Sequence, residues 1–212
     1  MTVAPEDAAR LRECLAAGGV AVIPTDTVYG LACDPDNAAA MRKIYELKGR
    51  PPMKPSAVMF FALDAALDIL TELGPRTRAA LMALLPGPVT LLLPNPRNRF
   101  PLACDPTNED ETAPLGFRVP SLEGPLEALA SVHFPVLQSS ANFSGVPPAR
   151  QLIDVPVELR EGADLTLDGG ELPGLASTVI DLSDYERNGD WRMVRQGPLD
   201  AESLATALTR SC

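Results

Sequence analysis

The stretch VAVIPTDTVYGLACDPDNAAAMRKIYELK, residues 20–48, decides the fold class. Its first five residues form a short apolar run, which predicts a buried strand. Asn37 is a favourable helix N-cap, and Met41 and Ile44 recur at helical spacing, so a helix is predicted from Asn37 to Lys48. A buried strand followed by an amphipathic helix is typical of layered α/β domains, and this stretch therefore favours that class.

The rest of the chain continues this alternation of apolar strands and helices. Further strands are predicted at 57–61, 89–93, 116–119, 136–138, 177–182 and 192–195. Further helices are predicted at 5–17, 64–73, 75–85, 125–132 and 200–208. The polar, proline-rich segment 94–114 predicts a long loop, a kind of segment that often covers a ligand site. We therefore expect one α/β domain over residues 1–212.

Composition excludes several classes of protein. Hydrophobic residues make up 46% and charged residues 22% of the 212 residues, which excludes a disordered or fibrous chain. Eighteen basic and 28 acidic side chains give a net charge of −10, so non-specific binding to nucleic acid or to an anionic membrane is not expected. A bound polyanion would require a local basic patch.

The expected location is the cytoplasm, without a membrane span. The first residues show no apolar secretion signal, and the longest uncharged run, 79–96, is broken by Pro-Gly-Pro. Four scattered cysteines without C-x-x-C spacing argue against a zinc site or a disulfide framework. Because His133 is the sole histidine, mechanisms built on a Ser-His or Cys-His pair are disfavoured.

A cationic segment follows the predicted helix of residues 37–48. Residues 42–54 hold five positive charges and one negative charge, and two prolines stiffen the loop that carries Lys48, Arg50 and Lys54. A cluster of cations without neighbouring carboxylates usually binds an anion, and arginine can bind phosphate or carboxylate with two hydrogen bonds. A solvated surface loop is the alternative, since lysines near a helix end also interact favourably with the helix dipole.

Two polar segments, 24–31 and 139–145, directly follow predicted strands, where open α/β sheets bind ligands. The alternatives are ordinary turns, with Asp26 as a helix cap in the first segment. Arg118 lies inside a strand, and a lone strand arginine usually faces solvent. The sequence lacks the P-loop, the G-x-G-x-x-G motif and the G-x-S-x-G elbow. These residues suggest a small anionic ligand without naming a reaction.

Seven segments, taken in order, resemble the YrdC/Sua5 family of threonylcarbamoyl-AMP synthases. They are PTDTVYGL (24–31), KGRPPMKP (48–55), PGPVTLLL (86–93), GFRVP (116–120), SSANFSG (139–145), STVIDL (177–182) and RQG (195–197). The resemblance implies a twisted, open, mixed sheet flanked by helices, with a concave basic cavity, in the family's short single-domain form. It implies that L-threonine, bicarbonate and ATP become threonylcarbamoyl-AMP and pyrophosphate, for the t6A modification of tRNA position 37.

The resemblance also implies roles for individual residues. The implied catalytic residues are Lys48, Arg50, Ser140 and Asn142. The implied ATP-binding residues are Arg50, Lys54, Asn142, Arg150 and Arg195. The implied threonine-binding residues are Thr27, Met59, Arg118, Ser140 and Ser177. Two positions depart from the family: Met59 replaces a histidine of some relatives, and Arg150 replaces a small hydroxyl residue. Mg²⁺ is expected to accompany ATP, and no protein metal site is predicted.

Two other functions compete with the synthase. A YrdC-like RNA-binding module, or a paralogue without synthase activity, would bind structured RNA through the basic concavity, although the net charge of −10 counts against it. A carbamoyl-adenylate enzyme would resemble the related domain of hydrogenase-maturation proteins, but their zinc-finger and acylphosphatase segments are absent from this sequence. For the synthase, the implied partners are the downstream threonylcarbamoyl-transfer machinery and, through a direct contact, tRNA.

Overall fold

A nine-stranded mixed sheet organises the computed structural model, which describes residues 1–49, 56–104 and 113–210. The strands are β1 (Ala21–Ile23), β2 (Gly30–Cys33), β3 (Ala57–Met59), β4 (Val89–Leu93), β5 (Leu115–Arg118), β6 (Val136–Ser140), β7 (Leu165–Thr166), β8 (Thr178–Asp181) and β9 (Arg192–Arg195). Their order across the sheet is β7-β1-β2-β6-β3-β5-β4-β8-β9. The pairs β1/β7, β3/β5 and β4/β8 are parallel and the other neighbours are antiparallel, so the predicted mixed α/β class is confirmed.

Seven α-helices flank this sheet in the described residues. They are α1 (Pro5–Ala16), α2 (Ala38–Leu47), α3 (Leu63–Ile69), α4 (Pro75–Leu84), α5 (Val157–Gly162), α6 (Tyr185–Asn188) and α7 (Ala201–Arg210). Helix α2 begins where the sequence predicted, because Asn37 Oδ1 accepts hydrogen bonds from the N–H groups of Ala39 and Ala40, each at 3.0 Å. The predicted helix at 125–132 is instead a 3₁₀ helix over Gly124–Ser131, which begins at Gly124-Pro125. In the described part of the chain, no helix combines the length and the apolar character needed to cross a membrane.

Strand β2 was not predicted from the sequence. It pairs antiparallel with β1, with Val22 opposite Leu31, and all four of its residues are buried. The sequence of β2, GLAC, begins with a glycine and directly follows a polar segment. Its apolar run is too short to indicate a strand. The polar segment 24–31 therefore contains the connection between β1 and β2 together with the start of β2.

Side-chain alternation divides the central strands into a core face and an open face. On one face, Leu91, Phe117, Leu137 and Ile180 are fully buried in the hydrophobic core. Because successive residues of a strand point to opposite faces, the residues between these positions lie on the other face of the sheet. That second face carries the candidate site.

A buried carboxylate secures the start of the predicted long loop to the junction after α3. Glu72 accepts hydrogen bonds from Arg99 Nε at 2.7 Å and Arg99 Nη2 at 3.1 Å, and Arg97 Nη1 lies 3.9 Å away. Burial acts to raise the pKa of Glu72, but the hydrogen bonds and charge of Arg99 outweigh it, so the pKa is lowered. The Arg99–Glu72 ion pair therefore joins the predicted loop to the segment that follows α3.

The Glu72 contact predicts an acid-sensitive part of the protein's stability. Because the folded-state pKa is lowered, the stabilisation is present above the unfolded pKa of about 4.3 and is lost as pH falls through the folded pKa. We expect Glu72→Gln to reduce the free energy of unfolding at pH 7 by about 1 kcal/mol. Urea unfolding at pH 7 and pH 3.5 checks this, with exposed Glu161→Gln as the control. An equal loss from Glu72→Gln at both pH values would contradict it.

Candidate active site

A cavity of about 520 Å³ lies on the open face of the sheet, across strands β3, β4, β5, β6, β8 and β9. Its polar wall consists of Ser56, Thr90, Arg118, Gln138, Ser139, Ser140, Asn142, Ser177 and Arg195. Its apolar wall consists of Val28, Ala57, Leu92, Pro114, Gly116, Pro148, Ala176 and Val179. We call this space the central cavity. Its volume lies within the range of sites for small molecules, roughly 300–1,000 Å³.

Two arginines and no carboxylate line the described wall of the central cavity, in a chain whose net charge is −10. Burial lowers the pKa of the Arg118 guanidinium; Asp26 opposes that shift, and the positive charge of Arg195 adds to it. The two guanidinium groups therefore act on each other electrostatically. Such a pair of cations favours a ligand that brings negative charge into the space between them.

Arg118 is held from the β1–β2 connection. Its Nη2 donates to Asp26 Oδ1 at 2.5 Å and to Thr27 Oγ1 at 3.2 Å, and Asp26 Oδ2 accepts from the N–H of Ser121 at 3.0 Å. The Arg118 side chain is only 3% exposed, so the solvent-facing alternative is wrong, and so is the reading of Asp26 as a helix cap. The Arg118 Nε has no partner among the described residues, which leaves one buried donor unused.

Asp26 is the charge that compensates Arg118. Burial raises the pKa of the Asp26 carboxyl, while Arg118 and the N–H of Ser121 act to lower it, and the net direction is upward. An unpaired carboxylate at this depth would be costly, so each member of this pair requires the other. The pair fixes the guanidinium in one orientation at the wall of the central cavity.

Lys48 ends helix α2 and contacts the last residues of β6. Its Nζ donates to Ser139 Oγ at 2.9 Å and to the Ser140 carbonyl oxygen, and the residue is 5% exposed. The solvated-loop alternative is therefore wrong for Lys48, whose ammonium group supports the wall at Ser140. Arg50 and Lys54, the other cations of the predicted loop, lie outside the described residues.

Asn142 forms the turn after β6. Its Nδ2 donates to the carbonyl oxygens of Phe143 at 3.2 Å and Val146 at 2.5 Å. Its Oδ1 is buried without a partner among the described residues, although the side chain lines the central cavity. The turn alternative is thus correct for this amide, and the carbonyl group remains available to a ligand.

Ser177 joins Arg195 to a residue that the sequence analysis missed. Arg195 Nε and Nη2 donate to the Ser177 carbonyl oxygen at 3.1 and 2.8 Å, and Nη2 also lies 3.2 Å from Ser177 Oγ. Ser177 Oγ in turn is 2.8 Å from Thr90 Oγ1, which lines the cavity on β4. Thr90 is the sole polar residue of the strand sequence VTLLL, and this signal could have identified it.

The structure brings together only part of the predicted site. The predicted residues on the described wall are Arg118, Ser140, Asn142, Ser177 and Arg195. Thr27 and Lys48 do not line the cavity but contact its wall. Thr27 Oγ1 accepts a hydrogen bond from Arg118, and Lys48 Nζ donates one to the Ser140 carbonyl oxygen. Met59 is buried in the core and Arg150 pairs at 2.9 Å with exposed Glu171, and neither lines the central cavity.

The described residues give no protein cage for a metal ion. Among residues 1–49, 56–104 and 113–210, no group of three or more His, Cys, Asp or Glu side chains could hold one. The described wall of the central cavity offers hydroxyls, amides and guanidinium groups, whereas Mg²⁺ prefers carboxylates in protein sites. This donor set does not fit a resident Mg²⁺ ion.

Fold and site together define an α/β protein with a cavity on the open face of a mixed sheet, lined by two arginines among the described residues. The chain belongs to the Sua5/YciO/YrdC family, since the family profile, described as telomere recombination, matches residues 13–197. A threonylcarbamoyl-AMP synthase of Chromohalobacter salexigens is 34% identical over 186 residues, covering 85% of this chain and 97% of that protein. The human threonylcarbamoyl-AMP synthase is 33% identical over 180 residues, covering 80% of this chain and 60% of its own length.

Solved structures agree with this assignment. P. abyssi Sua5 complexed with L-threonine superimposes with a TM-score of 0.79 at 26% identity, covering 96% of this chain and 58% of that one. E. coli YciO has a TM-score of 0.78 at 24% identity, covering 95% of this chain and 94% of that one, and this likeness concerns the fold. The twisted mixed sheet flanked by helices is therefore confirmed.

Proposed function

We propose that this protein is an L-threonylcarbamoyladenylate synthase, a nucleotidyltransferase that makes threonylcarbamoyl-AMP and pyrophosphate from L-threonine, bicarbonate and ATP. The observation that carries the proposal is the pair of arginines, Arg118 and Arg195, on the wall of one cavity without a lining carboxylate among the described residues. The names of the related synthases support the same reaction.

The reaction requires two anions to meet. The amine of threonine adds to CO₂ derived from bicarbonate and loses a proton, which gives an N-carboxylate. An oxygen of that carboxylate then attacks the α-phosphorus of ATP, and the bond from this phosphorus to the bridging oxygen of pyrophosphate breaks. Two unit charges about 4 Å apart repel by roughly 4 kcal/mol at an effective dielectric constant of 20, so cations in the cavity are needed to screen them.

Each of the two arginines binds a different substrate. Arg118, tethered by Asp26 and adjacent to Thr27, binds the carboxylate of threonine, and Ser140 and Ser177 supply hydroxyl groups to the same substrate. Arg195 and Asn142 bind ATP, together with Arg50 and Lys54 from the predicted cationic loop. Met59 and Arg150, which do not line the described wall, are left out of this assignment.

No protein nucleophile is needed, because the N-carboxylate itself attacks. The chain contributes position and electrostatic stabilisation, with Lys48 supporting the Ser139–Ser140 end of β6. Mg²⁺ would enter bound to the phosphates of ATP, where it would neutralise charge. We further propose that the protein acts in the cytoplasm and passes its product to a threonylcarbamoyl-transfer machinery that modifies tRNA.

Pyrophosphate release tests the reaction directly. We expect purified protein with ATP to release pyrophosphate only when both L-threonine and bicarbonate are present, because the N-carboxylate forms from these two. The measurement is coupled pyrophosphate detection, with each substrate omitted in turn. Release that is unchanged when L-threonine is omitted or replaced by L-serine would overturn the substrate assignment.

RNA binding is the competing function, since the arginine-lined cavity would also attract a phosphate backbone. It requires tight, salt-sensitive binding to structured RNA that does not depend on threonine. Fluorescence anisotropy with a labelled tRNA at about 50 and 200 mM salt separates the two functions. Such binding combined with no threonine-dependent release would favour the RNA-binding module.

A further inference from the structure

Gln138 is a buried amide on the wall of the central cavity that the proposed reaction does not yet use. It is 6% exposed, and its carboxamide makes no hydrogen bond to any residue that the structure describes. Its amide atoms are not among the fully buried polar atoms of the described residues that lack a partner, so they face the open space of the cavity. A carboxamide that lines a cavity under these conditions is suited to a ligand that restores the missing hydrogen bonds.

Gly30 provides the space that this amide occupies. In the β2–β6 register Gly30 is opposite Ser140, and a Cβ on Gly30 would overlap Gln138 Nε2. The side chain therefore reaches along β6 toward Ser140, rather than across to Ala32, its own partner in the register. The missing side chain at Gly30 thus places the amide beside Ser140.

The sheet order shows which substrate this amide can reach. Strand β5, with Arg118, is two positions from β6, with Gln138, and Ser140 lies on the same face of β6. Between Gln138 and β5 the floor consists of Ala57 and Gly116, which are small enough to leave this path open. Gln138 therefore lies at the end of the cavity assigned to threonine.

We propose that Gln138 determines amino-acid specificity by hydrogen bonding the side-chain hydroxyl of the threonine substrate. This inference rests on the proposed function. Arg118 takes the carboxylate and the amine takes up CO₂, so the hydroxyl is the remaining polar group of threonine. A hydroxyl both donates and accepts hydrogen bonds, and a carboxamide does the same with its NH₂ group and its oxygen. The isosteric analogue L-valine would leave the buried amide unpaired.

The wild-type protein provides the first test. L-valine has the shape of L-threonine with a methyl group in place of the hydroxyl, and a site built to hydrogen bond a hydroxyl rejects such an analogue by roughly 10⁴-fold. We expect kcat/KM for pyrophosphate release to be lower by about that factor with L-valine. Values within about tenfold of each other would overturn the proposal, and this comparison needs no variant.

The second test is Gln138→Met, with Gln151→Met as the matched control, because Gln151 is exposed and does not line the described wall. We expect Gln138→Met to lower kcat/KM for L-threonine by about 10- to 100-fold, to reduce the threonine-to-valine ratio by a similar factor, and to leave the KM for ATP within about twofold. An unchanged ratio, or a main effect on the KM for ATP, would overturn the proposal. Wild-type protein without any threonine-dependent release would instead reject the proposed function.

Discussion

Arg118→Met is expected to lower threonine-dependent pyrophosphate release by about 10³-fold or more, because it removes the cation that binds the substrate carboxylate. It is also expected to lower the free energy of unfolding by about 3–5 kcal/mol, because Asp26 is left buried without its partner. The loss of stability should be smaller at acid pH, where the Asp26 carboxyl can take up a proton. Steady-state kinetics and urea unfolding measure the two effects.

A double variant separates catalysis from folding. In Asp26→Asn/Arg118→Met neither charge is left unpaired, so most of the lost stability should return. Activity should not return, since the carboxylate of threonine still lacks its cation. Recovery of turnover together with stability would mean that Arg118 serves the fold alone, and the threonine assignment would then be wrong.

Arg195→Ala is expected to lower kcat by about 10²- to 10³-fold, because it removes a cation that stabilises charge on the phosphates during transfer. Arg195 is exposed and bonded to Ser177, so the free energy of unfolding should change by less than about 1 kcal/mol. Kinetics at saturating ATP and L-threonine, with thermal unfolding, provide the measurement.

Arg192→Ala is the matched control for this experiment. Arg192 lies three residues away on β9, is exposed, pairs with Asp181 at 3.1 Å and does not line the described wall of the central cavity. It changes the net charge by the same amount, so it reports any general electrostatic effect. Equal losses of activity in both variants would contradict a specific role for Arg195.

Long elements with a regular apolar pattern could be predicted closely from the sequence. Helix α2, with its Asn37 cap, and strand β4 were found with boundaries correct to within one residue. Strands β2 and β7 were missed because the sequences GLAC and LT do not show a strand pattern of their own, and pairing with β1 makes both of them strands. Helices α5 and α6, with six and four residues, were also missed, because segments this short do not show a helical period.

Some residues of the candidate site could be predicted from the sequence and others could not. Arg118, Ser140 and Asn142 belong to motifs that follow or form strands, and the structure places all three on one wall. Thr90 is the single polar residue of VTLLL, and Gln138 is the first of three polar residues in VLQSS; both were missed because nothing local shows which face each residue occupies. Their positions depend on the register with neighbouring strands.

The amino-acid sequence by itself determined the α/β class, the resemblance to the family and the types of group available for binding anions. These properties follow from local periodicity and from short motifs. The tertiary structure decided that Arg118 is buried against Asp26, that Lys48 supports Ser140 from behind, and that Gln138 lies over Gly30. Each of these contacts joins residues that are more than 90 positions apart in the sequence. Only the order and the register of the strands bring such residues together.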